Sequence, residues 1–121
     1  MPWTVRFHAE FEVEFDALDD AVQNELLALA RLLADLGPQL GRPHADTLKG
    51  SDFANMKELR FRADDGAWRV AFAFDPRRDA ILFVAGDKSG GSESAFYKRL
   101  IKKADRRYRN HLNQLRAGKD K

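Results

Sequence analysis

Apolar residues occupy every second position from Trp3 to Phe15, through Val5, Phe7, Ala9, Phe11 and Val13, which is the period of a half-buried strand. Phe11, Phe15 and Leu18 also fit the i, i+4, i+7 spacing of a helix face, so a strand of about residues 3–8 followed by a short helix fits the same pattern. From Asp19 onward one period dominates. Val22, Leu26, Leu29, Leu33 and Leu36 recur at helical spacing, and Gly37-Pro38 stops the helix with a residue suited to the left-handed region and one that lacks an N–H.

Residues 38–55 are turn-rich, with room for one short helical turn before Gly50. Three strands follow: MKELRFR, WRVAFAF and AILFVA. ADDG joins the first two, its Asp-Gly being a hairpin signal, and DPRRD joins the second and third, with Pro76 suited to the second position of a turn. The third strand is apolar throughout, which predicts cover on both sides and a place at the centre of the sheet. A last helix over about residues 93–115 puts Phe96, Leu100, Ala104, Tyr108, Leu112 and Leu115 on one side and most of its cations elsewhere.

Strand parity then suggests a site. Trp68, Val70, Phe72 and Phe74 share one face and should meet the helices, while Arg69, Ala71 and Ala73 point the other way. With the apolar faces of the hairpin kept together, Arg60, Arg62 and Arg69 lie above a floor of alanines as a shallow cationic concavity, with Lys57 at its rim and Lys88 emerging where the third strand ends. The plainer alternative pairs these arginines with Glu58, Asp64, Asp65 and Asp75 on an exposed face.

Charge sharpens this picture. Residues 1–65 carry 7 Lys/Arg against 13 Asp/Glu, and residues 66–121 carry 14 against 6, so a net charge of only +2 hides a strongly basic second half. Such a distribution suits a polyanionic partner, RNA, DNA or an acidic protein, although a basic helix is also an ordinary solvated surface. The chain has no cysteine, hence no disulfide or thiolate metal site, and no apolar segment of bilayer-spanning length; a soluble cytoplasmic domain covering residues 1–121 is expected. Neither a GxxxxGK[ST] loop nor an HExxH motif is present, so no metal or cofactor is predicted. Asp19-Asp20 and Asp64-Asp65 fall at a helix start and a hairpin turn, Ser89, Ser92 and Ser94 read as loop and cap residues, and His8, His44 and His111 read as surface or packing residues.

Three blocks, GPQLGRPHADTLKGSDFANMKELRFR, WRVAFAFDPRRDAILFVAGDKSG and FYKRLIKKADRRYRNHL, follow one another in an order and spacing that resemble the Gp49-like, HigB-type branch of the RelE/ParE toxin superfamily. The resemblance implies a small RelE-like α+β fold: an antiparallel sheet with a mixed edge, packed against two N-terminal helices, and a long basic C-terminal helix. It implies a cognate antitoxin as partner, usually with a helix-turn-helix domain and HigA-like, in a heterotetramer or larger complex. Members with HigB or RelE activity cleave mRNA in the ribosomal A site, whereas ParE-like members inhibit DNA gyrase without catalysis; an inactive phage-derived protein that only binds its antitoxin is a further possibility.

The resemblance also assigns candidate residues. Arg69 in AWRVAF matches the arginine that contacts the scissile phosphate, and Lys88 in GDKSG and Tyr97 in AFYKRL match a cation after the last strand and an aromatic acid or base near the chain end. Arg60 joins these as a candidate catalytic residue, and Lys57, Arg62, Lys98 and Lys102 are expected to bind RNA phosphates. The chemistry needs cations because attack of a ribose 2′-hydroxyl on the adjacent phosphate gathers negative charge on nonbridging oxygens, which guanidinium groups stabilise without a metal. A neutral phenol suits the role of general acid.

Overall fold

The computed structural model describes residues 2–118. Its chain order is β1 (Val5–Phe7), α1 (Ala9–Asp16), α2 (Asp20–Leu36), a 3-10 turn (Gly37–Gln39), β2 (Ala45–Thr47), β3 (Lys57–Ala63), β4 (Gly66–Phe74), β5 (Ala80–Asp87) and α3 (Glu93–Arg116). The N-terminal ambiguity resolves into a three-residue strand and a helix, because the His8 imidazole caps the helix by accepting the Glu10 N–H at 3.1 Å. At the far end of α2, Gly37 has φ +59° and lies under the Trp3 indole, where a Cβ would come within 2.3 Å of the ring.

The five strands form one mixed sheet in the order β1-β5-β4-β3-β2, with β1 parallel to β5 and the other pairs antiparallel. The centre is therefore β4, not the apolar β5. Burial on both faces made β5 look central, and it is indeed covered on both, but its outer neighbour β1 pairs with only three of its residues. The β3–β4 loop consists of Asp64-Asp65, both at positive φ (52° and 61°), and Gly66 already opens the next strand. Asp75 shapes the next turn: its Oδ1 accepts from the N–H groups of Arg77 and Asp79 at 2.9 and 3.0 Å, with Pro76 in the second position as expected. Strand β2 was hidden in the turn-rich segment; it adds Ala45 opposite Leu59 and Thr47 opposite Lys57.

Two cores follow from strand parity. Leu59, Val70, Phe72, Ala80 and Leu82 bury against Phe11, Leu26, Leu29 and Leu33 of α1 and α2. On the opposite face, Ala71, Ala73, Ile81 and Phe83 bury against Phe96, Leu100, Ala104 and Tyr108 of α3. The expected open alanine floor is thus roofed by a helix, and the alanines are small because α3 lies close over them. A bulge helps this face: Ala71 is opposite Val84 and Phe72 opposite Leu82, so Phe83 is the extra residue, and both Phe83 and Val84 reach the α3 core.

Among the described residues no helix is long and apolar enough to cross a membrane.

Candidate active site

The site begins with alternation in β3 and β4. Glu58 and Arg60 share a face in β3, and Arg69 lies directly opposite Arg60, so three charged side chains meet on the α3 side of the sheet. Gly86 of β5 pairs with Arg69 on its other flank. A Cβ at Gly86 would come within 2.8 Å of the Phe96 ring, so the glycine lets the first turns of α3 settle on the sheet. That seating, with Ser92 capping the helix through the Ala95 N–H at 3.2 Å, brings Tyr97 over the charged group.

The Tyr97 hydroxyl donates to Glu58 Oε1 at 2.9 Å and accepts from Arg69 Nε at 3.2 Å. Arg60 Nη1 donates to Glu58 Oε2 at 2.9 Å, and Arg69 Nε lies 3.9 Å from Glu58 Oε1. Arg69 is further held by its own strand, donating from Nη1 to the Trp68 carbonyl at 2.9 Å. Glu58 and Arg69 are only 4% and 7% exposed, so the carboxylate is compensated by two guanidinium groups and a phenol instead of water. Burial is the largest influence on Tyr97 and pushes its pKa up; the Glu58 carboxylate adds to this, and the Arg69 hydrogen bond opposes it. The phenol accordingly keeps its proton at neutral pH.

The arginines also reach the side of the sheet. Beyond the short β2, the edge of β3 borders a groove of about 580 Å³ that Arg60, Arg62 and Arg69 line together with Phe61, His44 and the α2 residues Glu25, Leu29 and Leu32; Glu58 and Tyr97 do not line it. The arrangement offers two cations, a carboxylate and a phenol linked in a chain, Arg60 to Glu58, Glu58 to Tyr97 and Tyr97 to Arg69.

The other predicted residues are placed differently. Lys88 is paired at the start of α3: its Nζ binds Glu93 at 3.0 Å, while its N–H donates to the Ala67 carbonyl. Lys57 lies opposite Phe72, on the α1/α2 face by alternation, and so is not at the rim of the arginine cluster. Arg62 is exposed at the groove, on the cluster's face. Lys98 and Lys102 are exposed on α3, and Lys102 lines a separate groove beside β5. Glu58 was missed as a site residue and appeared only as a surface partner for arginines. Its signal was a single acid at the inward parity of an otherwise basic strand, Glu58, Arg60, Arg62.

A second charged group anchors α3. Arg107, 2% exposed, donates to the Phe83 carbonyl at 2.6 Å and pairs with Glu14 of α1, whose pKa is lowered chiefly by that hydrogen bond. His111 Nε2 lies 2.7 Å from Asp75 Oδ2, tying the helix to the β4–β5 turn.

The small mixed sheet under a long C-terminal helix is the RelE fold: the solved structure of E. coli toxin RelE, doubly substituted and in the free state, superposes with a TM-score of 0.60 over 85% of this chain and 97% of that one, at 12% identity. The family described as phage-derived protein Gp49-like matches residues 13–109, and the chain belongs to it. Two relatives from Mycobacterium tuberculosis (strain ATCC 25618 / H37Rv) bear the names "Putative toxin HigB2" and "Putative toxin HigB3". The first is 39% identical over 88% of this chain, and the second is 40% identical over 86% of it. The chain spans 53% of the length of the first relative and 89% of the second.

Proposed function

We propose that this protein is the toxin of a toxin–antitoxin pair and that it cleaves mRNA, on the ribosome and in the cytoplasm, with Arg69, Tyr97, Arg60 and Glu58 as its catalytic group. The observation that carries the reading is the convergence of Tyr97, Arg69 and Arg60 on one buried carboxylate, Glu58. The core on the opposite face of the same sheet is built from apolar side chains such as Leu59, Val70 and Phe72.

The chemistry follows from what each group can hold. A phosphodiester entering by the β3-edge groove takes the place of Glu58 as the anionic partner of Arg69 and Arg60, whose guanidinium groups stabilise the charge that develops on the nonbridging oxygens. The freed carboxylate accepts the proton of the ribose 2′-hydroxyl as its oxygen attacks phosphorus. The P–O5′ bond breaks, and Tyr97, protonated at neutral pH, gives its proton to the departing 5′ oxygen. The products are a 2′,3′-cyclic phosphate and a 5′-hydroxyl. Lys88 has no part in this scheme, while Arg62 at the groove and Lys57, Lys98 and Lys102 farther out supply attraction for RNA phosphates. A cognate antitoxin, HigA-like with a helix-turn-helix domain, completes the proposal as the partner that silences the protein.

The test is cleavage of a translated mRNA by purified protein with programmed ribosomes, by wild type and Tyr97→Phe. Cyclic-phosphate ends from wild type and a strong loss in the variant support the reading. Intact mRNA together with gyrase-linked DNA breaks overturns it.

A further inference from the structure

Strand β5 runs on past its last pairing with β1, Phe7 with Leu82, as far as Asp87, and among the described residues no strand pairs with that outer edge. Beside it lies a groove of about 770 Å³, lined by Val84–Asp87, with Phe96 and Leu100 giving it an apolar floor and cations of α3 forming a wall. Those cations are of two kinds. Lys103 and Arg106 are engaged by Glu14 and Glu10 of α1, whereas Arg99 and Lys102, one helical turn apart, have no acidic partner among the described residues. The groove thus combines a bare strand edge, an apolar base and two uncompensated positive charges.

We propose that this groove takes an extended acidic segment of a partner protein, added as a further strand along Val84–Asp87. A strand edge offers alternating N–H and C=O groups, which another peptide backbone can answer in register. A nucleic-acid backbone answers them poorly, because phosphates only accept hydrogen bonds, and it makes little use of an apolar floor. Side chains of an added strand alternate between faces, so every second residue of the segment points to the α3 side. Acidic residues at that spacing meet Arg99 and Lys102. The partner sequence is therefore one of alternating acidic and apolar or small residues over about four positions, matching the span Val84–Asp87. The groove does not include Arg69 or Tyr97; it shares only Lys102 with the outer cations proposed to attract RNA, and the proposal does not depend on RNA cleavage.

The test uses the full chain carrying Tyr97→Phe, so that the result stands apart from any nuclease activity. Three probes are titrated: a ten-residue peptide alternating Glu and Val, its Lys–Val counterpart, and a ten-nucleotide single-stranded RNA. Backbone amide shifts and hydrogen exchange report where each one binds. The Glu–Val peptide is expected to shift and protect amides of Val84–Asp87, to weaken with added salt, and to lose about tenfold in affinity on Arg99→Glu together with Lys102→Glu. Both side chains are exposed, and circular dichroism checks that the variant is folded. The Lys–Val peptide is expected not to bind. Absence of binding at millimolar Glu–Val peptide, amide shifts confined to another surface, affinity unchanged by the charge reversal, or tighter binding of the RNA in this groove would each overturn the proposal.

Discussion

The face of the sheet under α1 and α2 and the face under α3 solve the same packing problem with different side chains. The first buries Leu26, Leu29, Leu33, Leu59, Val70, Phe72 and Leu82 against one another. The second has an apolar patch of its own, but all the buried charged or polar side chains identified among the described residues lie on it or touch α3: Glu58, Arg69, Asp75, Asp105, Arg107 and His111. Apolar burial is non-directional and stabilises in proportion to area, whereas a buried charge costs several kcal/mol unless its partners are in place. The α1/α2 face therefore supplies stability, and the α3 face fixes positions. Arg107 and His111 fix where α3 lies on the sheet, and Tyr97 arrives over Glu58 and Arg69 as a result.

Substitutions on the two faces should break in different ways. Glu58→Ala should have the largest effect, about 3–5 kcal/mol in urea unfolding, because it leaves Arg69 buried without its carboxylate. The isosteric Glu58→Gln should recover much of that stability but not RNA cleavage, a split that purely structural pairing would not produce. Leu33→Ala, fully buried on the other face, should cost about 2–5 kcal/mol while leaving activity per folded molecule unchanged. Ser92→Ala removes the cap of α3 and should cost about 1 kcal/mol, with a small loss of activity through the seating of Tyr97.

The smallest effect concerns acid. His8 is held below its ordinary 6.5, first by burial and then by Arg107, His111 and Arg106, with Glu10 opposing, and its ring nitrogen must be unprotonated to cap α1. Between the folded and unfolded values the unfolded chain binds more protons, so this contribution is full above about pH 6.5 and is lost as pH falls through the window. Melting temperatures across pH 5–7.5 should show the drop, and His8→Ser, which keeps an acceptor that does not titrate there, should flatten it.

Much of this architecture was written in the periodicity. The Val22–Leu36 stripe, the three long strands and the Phe96–Tyr108 stripe all became elements within a few residues of their expected ends. What the pattern could not say was which face α3 covers. Ala71 and Ala73 read as the floor of an open site, when their small size instead accommodates a helix packed closely above them. The bulge at Phe83 was equally hidden, because an unbroken apolar run carries no parity to shift. Strand β2, three residues including Asp46, has no apolar alternation to display and is held by pairing with β3 and by Arg42 gripping Asp46 at 2.7 Å. Within the candidate site, parity placed Arg60 and Arg69 together, and the resemblance added Tyr97. Lys88, half-buried in the loop after β5, pairs with Glu93 at the start of α3, a partner that strand parity could not indicate.

The central claim is that Arg69, Tyr97 and Glu58 form a nuclease site and not merely a buried ion cluster. Tyr97→Phe tests it most directly, because the change removes one hydroxyl while keeping the ring that packs edge-on against Phe96. After brief induction of wild type and variant at matched levels of folded protein, 5′ ends are mapped across all transcripts. The account predicts new 5′-hydroxyl ends within translated frames for the wild type and a reduction of about 10²- to 10³-fold for the variant, the usual effect of losing one transition-state donor. Equal cleavage by both proteins, or intact transcripts with wild type while growth still stops, would contradict it.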